Sequence, residues 1–263
     1  MKREGRRRGV YILPSILTFG NLFCGFYAII AIYKHEYSKA ALAIIVALVV
    51  DFLDGAVARI AKATSDFGVE LDSLADLVSF GVAPGMLAYV FAMRPFGRIG
   101  WLAAFLFAAC GALRLARFNV QTKKLDKRYF VGLPIPAAAG IIASSVLFLG
   151  DEPSLKILEV QVLSPEVTSA LIVVLVAATA FLMVSKLRYR SLKEIDIARR
   201  RPFTMLVSVL LAMLIIASEP SLLLFGLFFL YALSGFLRYL PFGRRRVLLG
   251  EELELTPGEP RSP

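Results

Sequence analysis

The stretch DFLDGAVARIAKATSDFGVELDSLADLVSFG, residues 51–81, sets Asp51, Asp54, Asp72 and Asp76 into a chain that otherwise reads as membrane-buried. Of the 263 residues, 58% are hydrophobic and 19% charged. A soluble domain has about 45–50% apolar and about 25% charged residues. The mean hydropathy of +0.71 fits an integral membrane protein. The apolar residues fall in blocks near the roughly 20 residues a spanning helix needs. Eight blocks qualify: 13–33, 39–61, 71–93, 98–118, 134–150, 166–187, 203–218 and 221–240. Segment 13–33 lacks the small-x-small site of a cleaved signal peptide. The expected fold is all-α and polytopic, with one transmembrane domain over residues 1–240. The tail, 241–263, is polar, rich in Pro, Gly and Glu, and expected to be disordered. The outer loop 151–166 is expected to lie on the membrane surface.

With eight spans both termini share one side. That side receives 25 of the Lys and Arg residues and the other receives five. The positive-inside rule assigns the 25-residue side to the cytoplasm. The formal net charge of +10 sits largely in short loops beside spans. It favours anionic lipid as a partner over nucleic acid. Cys24 and Cys110 lie inside spans and read as buried thiols, with no metal-ligand spacing and no disulfide framework. The one histidine, His35, lies in a short polar turn, which argues against a Ser-His or Cys-His catalytic pair.

At about 100° per residue, Asp51, Asp54, Gly55, Ala58 and Arg59 fall within an arc of roughly 140° on the second span. On the third span, Gly68, Asp72 and Asp76 follow at four-residue steps and stay within about 80°. Ser79 continues that face. The two helices are expected to form an antiparallel hairpin on which the four carboxylates converge. A single Asp at the bilayer centre costs about 2.5–3.5 kcal/mol or more, and crowding adds repulsion. A divalent cation is the natural compensation: carboxylates suit Mg²⁺, Mn²⁺ or Ca²⁺, and Mg²⁺ commonly binds carboxylates together with substrate phosphates. Gly55 and Ala58 leave room for a ligand, and Arg59 suits a phosphate. The residues alone also permit salt bridges or a cation-transport pathway.

The spacing Asp51-x2-Asp54-Gly55-x2-Ala58-Arg59-x8-Gly68-x3-Asp72-x3-Asp76 resembles the signature of the CDP-alcohol phosphotransferases, and all eight positions match. The resemblance implies an integral-membrane enzyme, a homodimer with a six-helix core, here followed by two C-terminal spans. It implies Asp51, Asp54 and Asp72 as ligands of Mg²⁺ or Mn²⁺, two ions in all. Asp76 is implied as the catalytic base and a further metal contact. Gly55, Ala58, Arg59 and Gly68 are implied at the CDP-linked donor. Mid-span Asn21 joins the expected donor-binding set, because an amide in hydrocarbon needs a partner.

Other segments speak to the acceptor. PSILTFGNLFCGFYAI (14–29), SFGVAP (79–84), GALRLARFN (111–119) and FVGLPIPAAAG (130–140) resemble the phosphatidylserine-synthase branch of that family. This resemblance implies CDP-diacylglycerol as donor, L-serine as acceptor, and an active site facing the cytoplasm from the inner membrane. Arg114 and Arg117 stand three apart, so they share a face, and a guanidinium recognises serine's carboxylate well. They read equally as interface anchors. With Asn119 and Ser79 they form the expected acceptor set. Glycerol phosphate, inositol, inositol phosphate or choline are the alternative acceptors. An ether-lipid donor is equally compatible with the sequence. Pro134 and Pro136 are expected to shape the start of the fifth span, and Ala137, Ala138, Ala139 and Gly140 to allow close helix contact.

Overall fold

The computed structural model describes residues 4–61, 65–121, 129–157, 160–190 and 220–237. The architecture is a bundle of helices. Helix α1 runs Glu4–Tyr33 and α2 Tyr37–Ala61. Their turn is a Schellman-type cap: Glu36 N–H donates to the Ala31 carbonyl at 2.9 Å and His35 N–H to the Ile32 carbonyl at 3.0 Å. His35 takes the left-handed conformation this turn requires, with φ +61°. Its ring pairs with the Tyr37 hydroxyl at 2.8 Å, far from the aspartates in sequence.

Helix α3, Asp66–Asp76, starts at Ser65, whose Oγ accepts from Gly68 N–H at 3.0 Å. It continues without a break through a π-helical turn, Leu77–Val82, then α4, Ala83–Ala88, and a second π-helical turn, Tyr89–Met93. The first π turn has a local cause. Pro84 has no N–H for the Phe80 carbonyl and its ring crowds that position. The helix widens there, and Ala83 N–H donates to the Val78 carbonyl. Arg94–Phe96 forms a short 3₁₀ turn, and Gly97, with φ +52°, opens α5, Gly97–Gln121. The two limbs then run antiparallel. A Cβ on Gly85 would lie 3.0 Å from the Ala104 carbonyl oxygen, and one on Gly111 would lie 3.9 Å from Gly81 Cα.

Helix α6, Ile135–Leu149, is the core helix, buried from Ala137 through Val146. Pro134 precedes it and Pro136 sits in its first turn. The small residues admit a neighbour: a Cβ on Gly140 would meet the Phe228 ring at 2.6 Å. Phe228 belongs to α8, Pro220–Leu237; α7 spans Pro165–Val184. Two antiparallel ribbons occupy connections. Strand β1, Tyr129–Val131, pairs with β4, Arg188–Arg190, and β2, Leu155–Ile157, with β3, Val160–Leu163. The 151–166 loop thus contains a hairpin.

Ile16–Tyr33, Tyr37–Val57, Asp66–Val120 and Pro165–Val184 are long and apolar enough to cross a membrane. Ile135–Leu149 and Ser221–Gly235 are shorter apolar helices. Asp66–Val120 holds 55 residues, far beyond the roughly 20 needed for one crossing, and its reversal at Gly97 makes it two limbs. Large apolar side chains such as Phe23, Phe52, Phe105 and Phe181 lie exposed on the outside, as lipid contact demands. The chain is a multi-pass membrane protein of the all-α class. The expected span 203–218 and tail 241–263 lie outside the described residues.

Candidate active site

Asp72 and Asp76 stand one turn apart on α3, so their carboxylates stack along one face. Asp51 on α2 meets them. One carboxylate oxygen from each of Asp51, Asp72 and Asp76 lies within 4.8 Å of the others. That is the spacing of a shared cation site built from hard oxygen donors. Asp76 is 7% exposed, and Asp51 and Asp72 are half-buried.

Asp54 does not join this trio in the structure. Three residues beyond Asp51, it is rotated by about 60° around α2 and faces α1. Thr18 Oγ1 donates to its Oδ2 at 2.6 Å. Its Oδ1 is buried and has no hydrogen-bond partner among the described residues. A carboxylate oxygen in that condition is an acceptor awaiting a cation or donor.

Helix α1 packs against both aspartate helices. One turn on from Thr18, Asn21 Nδ2 donates to Asp76 Oδ1 at 2.9 Å. One face of α1 therefore holds one carboxylate from each neighbouring helix. Asn21 is itself fixed: Ser79 Oγ donates to its backbone carbonyl at 2.9 Å. Ser79 was expected at the acceptor. It is instead fully buried in the α1–π-turn contact, its hydroxyl spent on that carbonyl. Gly25 makes the contact possible, because a Cβ there would lie 2.7 Å from Ser79 Cα. Gly25→Ala is expected to push α1 off the π turn, at a cost of about 1–3 kcal/mol. A thermal melt of the purified variant should show the loss, with activity falling alongside it. An unchanged melt would show that α1 is not seated this way.

The two arginines separate. Arg117 is exposed, and its Nη1 donates to the Val184 carbonyl at 3.3 Å, at the end of α7. Arg114 lies within electrostatic reach of Asp76 and of Tyr231 on α8, and its Nε is buried with no hydrogen-bond partner among the described residues. Asn119 Nδ2 donates to Ser73 Oγ at 2.9 Å and approaches Glu70 Oε2 at 3.4 Å, tying α5 to α3. Of the expected donor-binding residues, Gly55 is half-buried beside Asp54, and Gly68 lends its N–H to the α3 cap. The side chains of Ala58 and Arg59 lie outside the described residues.

Two participants carry little signal in the sequence. Thr18 is a polar residue near the start of the first span, one turn before Asn21, and that spacing is its only signal. Tyr231 had none, since nothing local tells which helix α8 will meet. Tyr189, on β4, helps seat α8: its hydroxyl donates to the Ala232 carbonyl at 3.2 Å, and its ring lies 5.7 Å from that of Tyr231. Burial pushes the Tyr189 phenol up to about 12, and Tyr231 adds to the shift.

A carboxylate trio at the membrane, a half-buried arginine within electrostatic reach of it and a carboxylate oxygen without a partner among the described residues fit a divalent metal and an anionic substrate. The comparisons agree. Residues 11–167 match the family model described as CDP-alcohol phosphatidyltransferase. A Helicobacter pylori protein named CDP-diacylglycerol–serine O-phosphatidyltransferase is 35% identical over 232 residues, which is 88% of this chain and 92% of that protein. A Bacillus subtilis protein of the same name is 47% identical over 126 residues, 48% of this chain and 70% of its own. One from Saccharomyces cerevisiae is 39% identical over 144 residues, 49% of this chain and 51% of its own. The matched region runs from α1 into α7 and so includes every aspartate of the cluster: the chain belongs to the CDP-alcohol phosphatidyltransferase family.

Proposed function

We propose that the protein transfers the phosphatidyl group of CDP-diacylglycerol to the hydroxyl of L-serine, giving phosphatidylserine and CMP. The observation that carries this reading is the meeting of Asp51, Asp72 and Asp76 within 4.8 Å, with Asp76 held by Asn21. The serine acceptor is supported by the names of relatives that cover most of this chain.

Asp51, Asp54, Asp72 and Asp76 would hold Mg²⁺ or Mn²⁺, two ions in all. Bound there, the ions supply neutralisation of the diphosphate and polarisation of the phosphorus under attack. The chain's own residues do the rest. Arg59, with Gly55, Ala58 and Gly68 leaving space, receives the diphosphate, while the acyl chains stay in lipid. Arg114 receives the carboxylate of serine; Arg117, spent on Val184, serves as an anchor. Asp76 takes the proton from the serine hydroxyl. The serine oxygen bonds to the phosphorus that bears the diacylglycerol, the bond to the bridging oxygen breaks, and CMP leaves. As in phosphoryl transfer generally, positioning and charge stabilisation carry most of the rate.

The protein works as one transmembrane unit over residues 1–240, as a homodimer in the cell's inner membrane. The 25-to-5 basic split supports cytoplasmic termini and a cytoplasm-facing site. The decisive assay gives purified protein CDP-diacylglycerol, Mg²⁺ or Mn²⁺, and a panel of serine, glycerol phosphate, inositol, inositol phosphate and choline. CMP release and phosphatidylserine are expected with serine. Release with another alcohol and not with serine overturns the acceptor. No release with any of them overturns the reaction class.

A further inference from the structure

Two buried polar atoms beside Asp76 have no hydrogen-bond partner among the described residues, and they have opposite demands. Arg114 Nε is a donor in want of an acceptor. Asn21 Oδ1 is an acceptor in want of a donor. Asn21 is 0% exposed, so water does not serve it from bulk. Its amide orientation follows from its neighbour. The Nδ2 faces the Asp76 carboxylate at 2.9 Å, because only the NH₂ group can donate there, and Oδ1 must then turn the other way. Buried polar atoms are nearly always paired, so an orphan of this kind marks a missing ligand. Asn21 is also held firmly, by Ser79 on its backbone carbonyl, in a contact that Gly25 permits. The atom is therefore placed and unused.

We infer that Asn21 Oδ1 and Arg114 Nε form an amino-acid-reading pair, Asn21 accepting from the α-ammonium of the acceptor and Arg114 donating to its carboxylate. This rests on the reading of serine as the acceptor, and it moves Asn21 from the donor-binding set to the acceptor set. The chemistry of serine matches the placement. Its hydroxyl and ammonium sit on adjacent carbons, and the oxygen and nitrogen of the Asn21 amide share one carbon. A hydroxyl at Asp76 thus brings the ammonium beside Asn21 Oδ1. The carboxylate is left for Arg114, which lies within electrostatic reach of Asp76 from α5. A neutral amide oxygen accepts more strongly from an ammonium than from the neutral hydroxyl that glycerol phosphate carries at the equivalent carbon, so Asn21 favours the amino acid.

The test separates the two ends of serine. Ethanolamine keeps the hydroxyl and ammonium; glycerate keeps the hydroxyl and carboxylate. Each is measured as a competitor of serine with the full-length enzyme and CDP-diacylglycerol. For Asn21→Ala, KM for serine and the inhibition constant for ethanolamine are expected to rise about tenfold or more, as loss of a hydrogen bond to a charged group predicts. Inhibition by glycerate should weaken much less, since it carries only a neutral hydroxyl where serine has the ammonium and its carboxylate contact remains. For Arg114→Ala the pattern should reverse, with glycerate weakened and ethanolamine spared. If Asn21→Ala lowers only kcat, or shifts both competitors alike, Asn21 merely orients Asp76 and the inference is wrong. A measurement on unaltered protein guards against a variant that does not fold: ethanolamine should compete better than ethylene glycol, and equal competition overturns the inference. Failure of the serine reading would look different, as absence of serine-dependent CMP release from the unaltered enzyme.

Discussion

Asp76→Asn is expected to lower turnover about 10²–10⁴-fold, the contribution typical of a positioned base, while leaving CDP-diacylglycerol binding largely intact. The structure makes this substitution informative. Asp76 Oδ1 accepts from Asn21 Nδ2 at 2.9 Å, and an amide oxygen at the same place can accept the same bond, though more weakly. Shape and the α1 contact are therefore preserved, and what is lost is the capacity to take a proton. Asp51→Asn provides the contrast. Asp51 comes from α2 to complete a cluster whose other two members share α3. Its loss should weaken metal binding and, with it, donor binding. Donor affinity and turnover are measured separately for both variants at matched free metal. If Asp76→Asn loses donor affinity as severely as Asp51→Asn, Asp76 is chiefly a ligand and the base lies elsewhere. Near-normal turnover would mean that serine loses its proton without Asp76.

Exhaustive chelation is expected to abolish CMP release, and addition of Mg²⁺ or Mn²⁺ to restore it. Three carboxylates with oxygens within 4.8 Å repel one another when ionised, by a few kcal/mol per pair at an effective dielectric near 20. They are set beside lipid, where a single Asp already costs about 2.5–3.5 kcal/mol or more. Without a cation the cluster must take up protons or spread. Either change removes the site that faces the donor's diphosphate. Chelation should therefore also weaken binding of CDP-diacylglycerol, which a direct binding measurement would show apart from catalysis. Full activity after chelation would remove the metal from the mechanism and leave the aspartates unexplained.

Much of this protein was legible in its sequence. Apolar blocks of roughly spanning length can only be satisfied in lipid as helices, and within the described residues those blocks are helices. Four-residue spacing stacks Asp72 on Asp76 whatever the rest of the chain does, because the α-helical period is a property of the backbone. The family followed from the same spacing, since all eight signature positions lie in one stretch.

Periodicity sets a residue's direction only relative to its own helix. It does not say how that helix is rotated or what it meets. Asp51 and Asp54 share a face by arithmetic. The small rotation between them, combined with where α1 packs, sends one to the trio and the other to Thr18. Arg114 and Arg117 are equivalent in sequence, and only the placement of α7 and α8 gives one a carbonyl to hold and the other a half-buried position within electrostatic reach of Asp76. Ser79 lay on the aspartate face by counting, but the π turn caused by Pro84 and the close approach at Gly25 deliver it to the Asn21 carbonyl. The lipid environment, the helices and the aspartate ladder follow from the amino-acid order, because these depend on local composition and backbone period. Which carboxylates meet, and which polar atoms lack a partner among the described residues, follows from the packing of the helices, because that depends on how closely small residues let whole helices approach.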